Sequence, residues 1–330
     1  MVTSRRTFLQ EMASLTCALP GITSFKSSTA QSVEPRIGYL NGAGLNEHDN
    51  AFISELQKLG FSDGKNFIIE KRFTRPNSGD AFGHARELAQ MDLALVVVSA
   101  PAFAEQVRKV NPNMPMVLIT CPGMVSNGYA ASLDHPGGIY TGMDELPPGI
   151  TSKRLQLLKT AAPAVTKIAL LSTTQGKGGH EIQLSEAEKS APELGLSIKA
   201  YRAASLPELE KALSEIISDK MNGLLNFQGG LTLANRKLLA DFAVTNKIPA
   251  IYQATLIVEA GGLMSWAPDL VQQFREAAHY VNKILRGSKP GDLPIQHPKK
   301  YYLTINQSAA ELIGLSLPSE LISQADRIIR

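Results

Sequence analysis

Short apolar runs alternate with amphipathic stretches along the chain from residue 36 onward. The first series of runs predicts strands over 36–40, 66–71, 93–99 and 116–120, with helices over 47–59, 78–91 and 101–110. A second series predicts strands over 166–171, 196–201, 222–227 and 249–252, with helices over 178–194, 205–219 and 231–246. The two series agree in order and spacing, which indicates two copies of one topology.

The central predicted strands are continuously apolar instead of alternating. Runs such as Val96–Val98 and Met116–Ile119 are typical of strands that are buried on both faces. Regular alternation of strands with helices predicts parallel sheets that carry helices on both faces. The sequence therefore predicts an α/β fold of two doubly wound parallel-sheet lobes joined by a hinge.

The C-terminal part of the chain is less regular. Strands are predicted over 262–265 and 301–305, and a long amphipathic helix over 268–286. A Pro- and Gly-rich connection follows the long helix, and the pattern ends with short helices over 307–313 and 318–329.

The first thirty residues have the regional order of an export signal. Arg5 and Arg6 precede an apolar pair, as in a Tat signal, and Ser28-Thr29-Ala30 offers small residues for cleavage. We therefore predict a Tat-type signal peptide over residues 1–30 and a periplasmic location; a basic helix start is the alternative. The residues before Cys17 fit a lipobox poorly, so we do not expect lipid anchoring there.

Composition and charge exclude several classes of protein. Hydrophobic residues make up 44% of the chain, which is ordinary for a globular protein and excludes global disorder. Basic residues number 33 and acidic residues 30, and this near balance argues against a dedicated nucleic-acid binder. We find no run of about 18 apolar residues that would cross a membrane. Two cysteines cannot build a disulfide framework or a four-cysteine zinc site.

Ligands of open parallel sheets bind beyond the carboxyl ends of the strands, where helix N-termini present free N–H groups. Two such lobes place two such edges opposite each other, and the cleft between them can close on a small polar solute. The candidate ligand-binding residues are those that follow the predicted strands. They are Asn41, Gly42, Ser99, Ala100, Pro101, Thr120 and Cys121 in the first series, Thr173, Gln175, Gln228, Gly229 and Tyr252 in the second, and Trp266. This set is neutral and offers hydrogen bonds, not acids or bases.

Three of these residues allow a structural interpretation as well. Ser99 either contributes to a carboxylate site at the helix start or caps that helix. Trp266 either stacks on a flat ligand or belongs to the core. Cys121 is more typical of a small buried apolar residue than of a nucleophile.

Several segments resemble the periplasmic substrate-binding proteins of ABC transporters, in the group that includes tryptophan- and tyrosine-binding members. The segments are Ile37–Leu40, Leu59–Asn66, Ile68–Glu70, Ala131–Gly138, Thr141-Gly142, Lys153–Lys159, Pro249–Tyr252 and Val258–Ser265, and the resemblance covers about residues 36–329. The resemblance implies a type I periplasmic-binding fold with three crossovers. It also implies capture of a small solute and its delivery to an ABC permease in the inner membrane.

The resemblance suggests how the crossovers divide the chain. Residues 36–143 and about 266–290 are expected to form lobe 1, and residues 144–265 and about 291–330 lobe 2. Family members commonly carry an Asp-Pro pair in each lobe, but the aligned positions here are Gly123-Met124 and Gly229-Gly230. Trp266 replaces a usual Tyr. Because two carboxylates are absent, we do not transfer an amino-acid cargo to this chain.

Enzymatic function has little support in the sequence. Asn41–Gly44 resembles a dinucleotide fingerprint, but Glu47 occupies the third glycine position. None of the histidines has the spacing of a zinc site. We therefore expect a monomeric solute-binding protein with no catalytic residues, metal or cofactor. An exported enzyme and a ligand-sensing domain on the same fold are the alternatives.

Overall fold

Five parallel strands form the sheet of lobe 1 in the computed structural model, which describes residues 34–42, 46–74, 80–173, 177–227 and 229–330. The strands are β1 (Arg36–Gly42), β2 (Ile68–Thr74), β3 (Leu95–Val98), β4 (Met116–Leu118) and β5 (Tyr140–Gly142). Their order in the sheet is β2-β1-β3-β4-β5. Every residue of β3 is buried, as its continuous apolar run predicts.

Three helices connect these strands: α1 (Glu47–Lys58), α2 (Asp80–Ala89) and α3 (Pro101–Val110). Asn46 caps α1, because its side chain accepts hydrogen bonds from the backbone N–H groups of His48 and Asp49. Asp49 completes a capping box by accepting from the N–H of Asn46 at 2.9 Å. Asn46 and Asp49 therefore fix the start of α1.

Lobe 2 is built on a sheet of seven strands. They are β6 (Lys167–Thr173), β7 (Ser197–Ala203), β8 (Gly223–Asn226), β9 (Ala250–Tyr252), β10 (Met264–Pro268), β11 (Tyr301–Asn306) and β12 (Arg327–Ile329). The order is β12-β11-β10-β9-β8-β6-β7, and only the pairing of β10 with β11 is antiparallel. Both lobes are thus largely parallel, as the alternation of strands and helices predicts.

The remaining helices follow in chain order. They are α4 (Ile150–Ala161), α5 (Lys177–Ser190), α6 (Leu206–Ser218), α7 (Gly230–Ala234), α8 (Arg236–Thr245), α9 (Thr255–Glu259), α10 (Leu270–Leu285), α11 (Gln307–Ile313) and α12 (Ser319–Gln324). Ser205 caps α6, because its side chain accepts from the backbone N–H of Glu208. Within the described residues, no helix is both long and apolar enough to cross a membrane.

Some predicted elements differ from the structure. The single helix predicted over 231–246 is divided at Asn235, whose side chain donates to the carbonyl of Leu231 at 2.9 Å. The helix predicted over 318–329 is wrong beyond Gln324, because the last residues pair with β11 as β12. Strand β5 and helices α4 and α9 are not among the predicted elements. Helix α4 lacks a clean apolar face, since Thr151 and Arg154 are buried with its leucines.

The chain passes between the lobes three times, at residues 143–149, at Asp269 and at 296–300. Helix α10 packs with the core of lobe 1, and so does Leu293. The second passage therefore follows Pro268 and the third follows Ile295, each a few residues later than the sequence suggests. Residues 34–330 form one compact unit that contains both lobes.

Candidate functional site

The carboxyl ends of the strands in the two lobes meet across a close contact between glycine-containing segments. Pro122 and Gly123 follow β4 in lobe 1, and Gly179 lies in the first turn of α5 in lobe 2. A Cβ atom on Gly179 would lie 2.7 Å from the carbonyl oxygen of Pro122. The two sheet edges therefore face each other, which is the geometry of an interlobe cleft.

In lobe 1, Asn41 is held in place by buried partners. Its amide nitrogen donates to the hydroxyl of Tyr39 at 3.3 Å and to the carboxylate of Asp49, and its oxygen accepts from the N–H of Gly42 at 2.8 Å. Burial, followed by the hydrogen bond to Asp49, raises the pKa of Tyr39 well above its usual range. The end of β1 is therefore tied to α1 through the carboxylate of Asp49, which already accepts several hydrogen bonds.

The predicted residues at the ends of β3 and β4 lie together. The hydroxyl of Thr120 donates to the carbonyl of Ser99, which joins the two strand ends. Ala100 is the N-cap residue of α3 and Pro101 is its first residue. The alternative in which Ser99 caps this helix is therefore wrong.

Cys121 lies in the core of lobe 1. Its side chain is fully buried beside Met116 and Met124, and burial raises the pKa of the thiol well above its ordinary value. A protonated, inaccessible thiol agrees with the interpretation of Cys121 as a small apolar residue.

In lobe 2, Thr173 and Gly229 are in direct contact. A Cβ atom on Gly229 would lie 2.4 Å from Thr173 Oγ1, so this position requires a residue without a side chain. Thr173 Oγ1 is buried and has no hydrogen-bond partner. Gln175 and Gln228 lie outside the described residues, so their predicted roles stay predictions.

The two aromatic candidates of lobe 2 differ in exposure. Tyr252 is fully buried in the lobe core, and its hydroxyl has no partner there. Trp266 is partly buried against the other core of lobe 2, and its ring stacks on Tyr301 with 6.0 Å between ring centroids. The interpretation of Trp266 as a core residue thus has structural support, although part of the ring remains accessible.

Further polar residues line the edge of lobe 2. Asn226 ends β8 and is fully buried, and its side-chain oxygen lacks a partner. The side-chain amides of Gln183 and Gln253 form a hydrogen bond with each other. The hydroxyl oxygens of Thr255 and Ser265 are 3.4 Å apart. Strand-end reasoning could have found Asn226, but Gln183 comes from within α5 and gives no such signal.

The loop after β4 receives a carboxylate from the first crossover. Asp144 accepts hydrogen bonds from the backbone N–H groups of Gly123, Met124 and Leu146 at 2.8 to 2.9 Å. The family that the sequence resembles commonly has an acidic residue in this loop, where this chain has Gly123-Met124. Here the carboxylate of Asp144, from the first crossover, holds the loop instead. With three donors this carboxylate is occupied internally.

A second acid, Glu145, lies where the crossovers meet. Its carboxylate accepts from the amide of Gln273 on α10 at 3.1 Å, and its carbonyl accepts from the hydroxyl of Tyr301 at 3.1 Å. Burial raises the pKa of Glu145 to about 7, against the opposing effects of Gln273 and Arg154. Sequence reasoning missed this cluster because its members come from distant segments.

No group of three or more His, Cys, Asp or Glu side chains in the described part of the chain is placed to hold a metal ion. The strand-end residues that the structure describes are neutral, and the nearby acids carry internal hydrogen bonds. This arrangement can bind a solute through hydroxyls, amides and backbone N–H groups.

Solved structures share this fold. An ABC domain in complex with L-Trp from Streptococcus pneumonia has a TM-score of 0.82 at 20% identity, covering 90% of this chain and 100% of that one. A conserved domain protein from Vibrio cholerae gives 0.80 at 23% identity, with 90% and 100% coverage. A ligand-free, open substrate-binding protein with adhesive properties from Clostridium difficile gives 0.66 at 20% identity, with 89% and 99% coverage.

A comparison with curated protein sequences finds no match. The family profile described as ABC transporter substrate binding protein matches residues 37–329, which include both lobes and all three crossovers. The profile and the type I periplasmic-binding fold agree. The chain therefore belongs to the ABC transporter substrate-binding protein family.

Proposed function

We propose that this protein is exported by the Tat route, captures a small polar organic solute between its lobes and delivers it to an ABC permease of the inner membrane. The observation that carries the proposal is the meeting of the two sheet edges across Pro122, Gly123 and Gly179. Buried hydroxyl and amide groups with unused hydrogen-bonding atoms, on Thr173 and Asn226, lie at the edge of lobe 2. Such groups favour a ligand that supplies the missing partners.

The proposal is tested by thermal unfolding of the protein without residues 1–30, against a library of amino acids, organic acids, sugars and nucleosides. A ligand that binds only the folded protein adds about 2.7 kcal/mol at a hundred times its dissociation constant. We expect at least one compound to raise the unfolding midpoint by several degrees. An absence of shifts throughout the library would contradict solute capture.

Closure of the cleft can be tested at Gly179. A methyl group there would collide with the backbone of Pro122 in the other lobe, at 2.7 Å. We therefore expect Gly179→Ala to weaken binding of the library ligand about tenfold or more, because the closed state loses stability. Isothermal titration calorimetry measures the affinity.

The matched control is Gly230→Ala. Gly230 begins α7 in the same lobe, and a methyl group there would meet nothing within 4 Å. This variant should keep the affinity of the original protein. Equal affinities for all three proteins would show that binding does not require the contact between Gly179 and Pro122.

A further inference from the structure

Arg154 lies at the cleft edge of lobe 2 with its side chain buried. It is 1% exposed, and its Nε donates to the carbonyl of Trp266 at 3.1 Å. Ser265 pairs with Tyr252, the last residue of β9, so Trp266 stands one residue beyond the end of that strand. The guanidinium is therefore at the level where the parallel strands of this lobe end.

The charge of Arg154 has no close counter-ion among the described residues. Nη1 is buried without a hydrogen-bond partner, and no described ion pair within 4.0 Å includes Arg154. Burial lowers its pKa to about 10, which leaves the group cationic at neutral pH. A buried charge with no acid within ion-pair distance is unfavourable, so this position favours an anion from outside the chain.

Tyr301, Glu145 and Glu186 lie close enough to Arg154 to favour its charged form, but neither acid forms an ion pair with it within 4.0 Å. Glu186 accepts hydrogen bonds from the N–H and the hydroxyl of Ser152, at 3.3 and 3.2 Å. Glu145 is bonded to Gln273 and is partly protonated near neutral pH. Their proximity disfavours a doubly charged ligand such as phosphate, so the geometry favours a single negative charge.

Thr151 supplies a second unused donor on the same face of α4. It lies three residues before Arg154, is fully buried, and its hydroxyl has no partner. It belongs to the first turn of a 12-residue helix whose N-cap, Gly149, provides no side-chain cap. The positive end of the helix dipole adds to the attraction for an anion.

We propose that Thr151 and Arg154 bind the carboxylate of the transported solute, which is a small monocarboxylic acid. This inference rests on the proposed function. A guanidinium N–H and a hydroxyl on one helix face match the two oxygens of a carboxylate. Trp266 and Tyr301 form a stacked pair beside this position and offer an apolar contact for the rest of the solute.

The test uses acids with their matched primary amides: phenylacetate, indole-3-acetate, nicotinate and butyrate. Affinities are measured by calorimetry for the original protein and for Arg154→Gln and Thr151→Val. We expect at least one acid to bind more than tenfold tighter than its amide. Arg154→Gln should weaken that acid more than tenfold and remove the preference, and Thr151→Val should weaken it about fivefold.

Glu145→Gln separates ligand binding from a purely structural role. If Arg154 has only a structural role beside Glu145, then Arg154→Gln and Glu145→Gln change the unfolding midpoint. The ratio of the affinities for an acid and for its amide then stays unchanged, and this result overturns the inference. If Arg154→Gln does not fold, the affinities of Thr151→Val test the inference, because this substitution removes one hydroxyl and keeps the shape of the side chain. An unchanged ratio in that variant overturns the inference.

The library screen distinguishes failure of this inference from failure of the proposed function. Binding of neutral solutes with no binding of acids overturns the assignment of Arg154 and leaves solute capture intact. No binding by any compound in either set overturns both.

Discussion

Replacing Gly142 with alanine is expected to lower the free energy of unfolding by about 3 kcal/mol or more. Gly142 ends β5, pairs with Leu118 of β4 and has a φ of +137°. A Cβ atom there would lie 2.0 Å from the carbonyl oxygen of Leu118. The obstacle is backbone within a sheet, so no side-chain rotation relieves it. Urea unfolding followed by circular dichroism measures the change.

Gly138→Ala is the matched control for this prediction. Gly138 is four residues earlier in the same segment, is exposed, and has open space where the methyl group would go. We expect a change within about 0.5 kcal/mol, as for an ordinary surface substitution. Similar losses in the two variants would mean that the approach of Gly142 to Leu118 does not limit the stability of the first lobe.

The core strands of this fold can be predicted from the sequence because burial on both faces leaves a continuous apolar run. Val96–Val98 and Met116–Leu118 are buried strand residues in the structure, as expected from that pattern. Pairing between distant segments leaves no such signal. Arg327–Ile329 has the composition of a helix end, but it forms β12 because β11 offers an unpaired edge.

Only the strand-end part of the candidate site could be predicted from the sequence. The rule that ligands bind beyond parallel strands correctly brings Ser99 and Thr120 together, because consecutive strands of one sheet end at one edge. The rule makes no prediction for residues of the crossovers or of helices that begin beside the cleft. No sequence pattern therefore indicates the cluster of Glu145, Arg154 and Gln273, because its members come from three separate segments that meet only in the folded protein.

Glu145→Gln is expected to change the pH dependence of stability. Burial is the largest cause of the raised pKa, which shifts from the ordinary 4.5 to about 7 in the folded protein. Between these values the folded protein holds a proton that the unfolded chain has lost. Stability from this group is therefore full below pH 4.5 and falls as pH rises toward 7. The size of the loss is about 3 kcal/mol, at roughly 1.4 kcal/mol per pKa unit.

The glutamine variant stays neutral at every pH, so its gain over the original protein should be near zero at pH 4.5 and largest, about 3 kcal/mol, at pH 8. Urea unfolding at intervals across this pH range measures the difference in the free energy of unfolding between the two proteins. Contributions from groups that titrate alike in both proteins cancel in this difference. Glu188→Gln, an exposed acid on α5, should give a flat difference. A gain for Glu145→Gln that is constant with pH, or largest in acid, would show that Glu145 is ionised in the folded protein. In that case Glu145 would already neutralise Arg154, and the need of that guanidinium for an external anion would disappear.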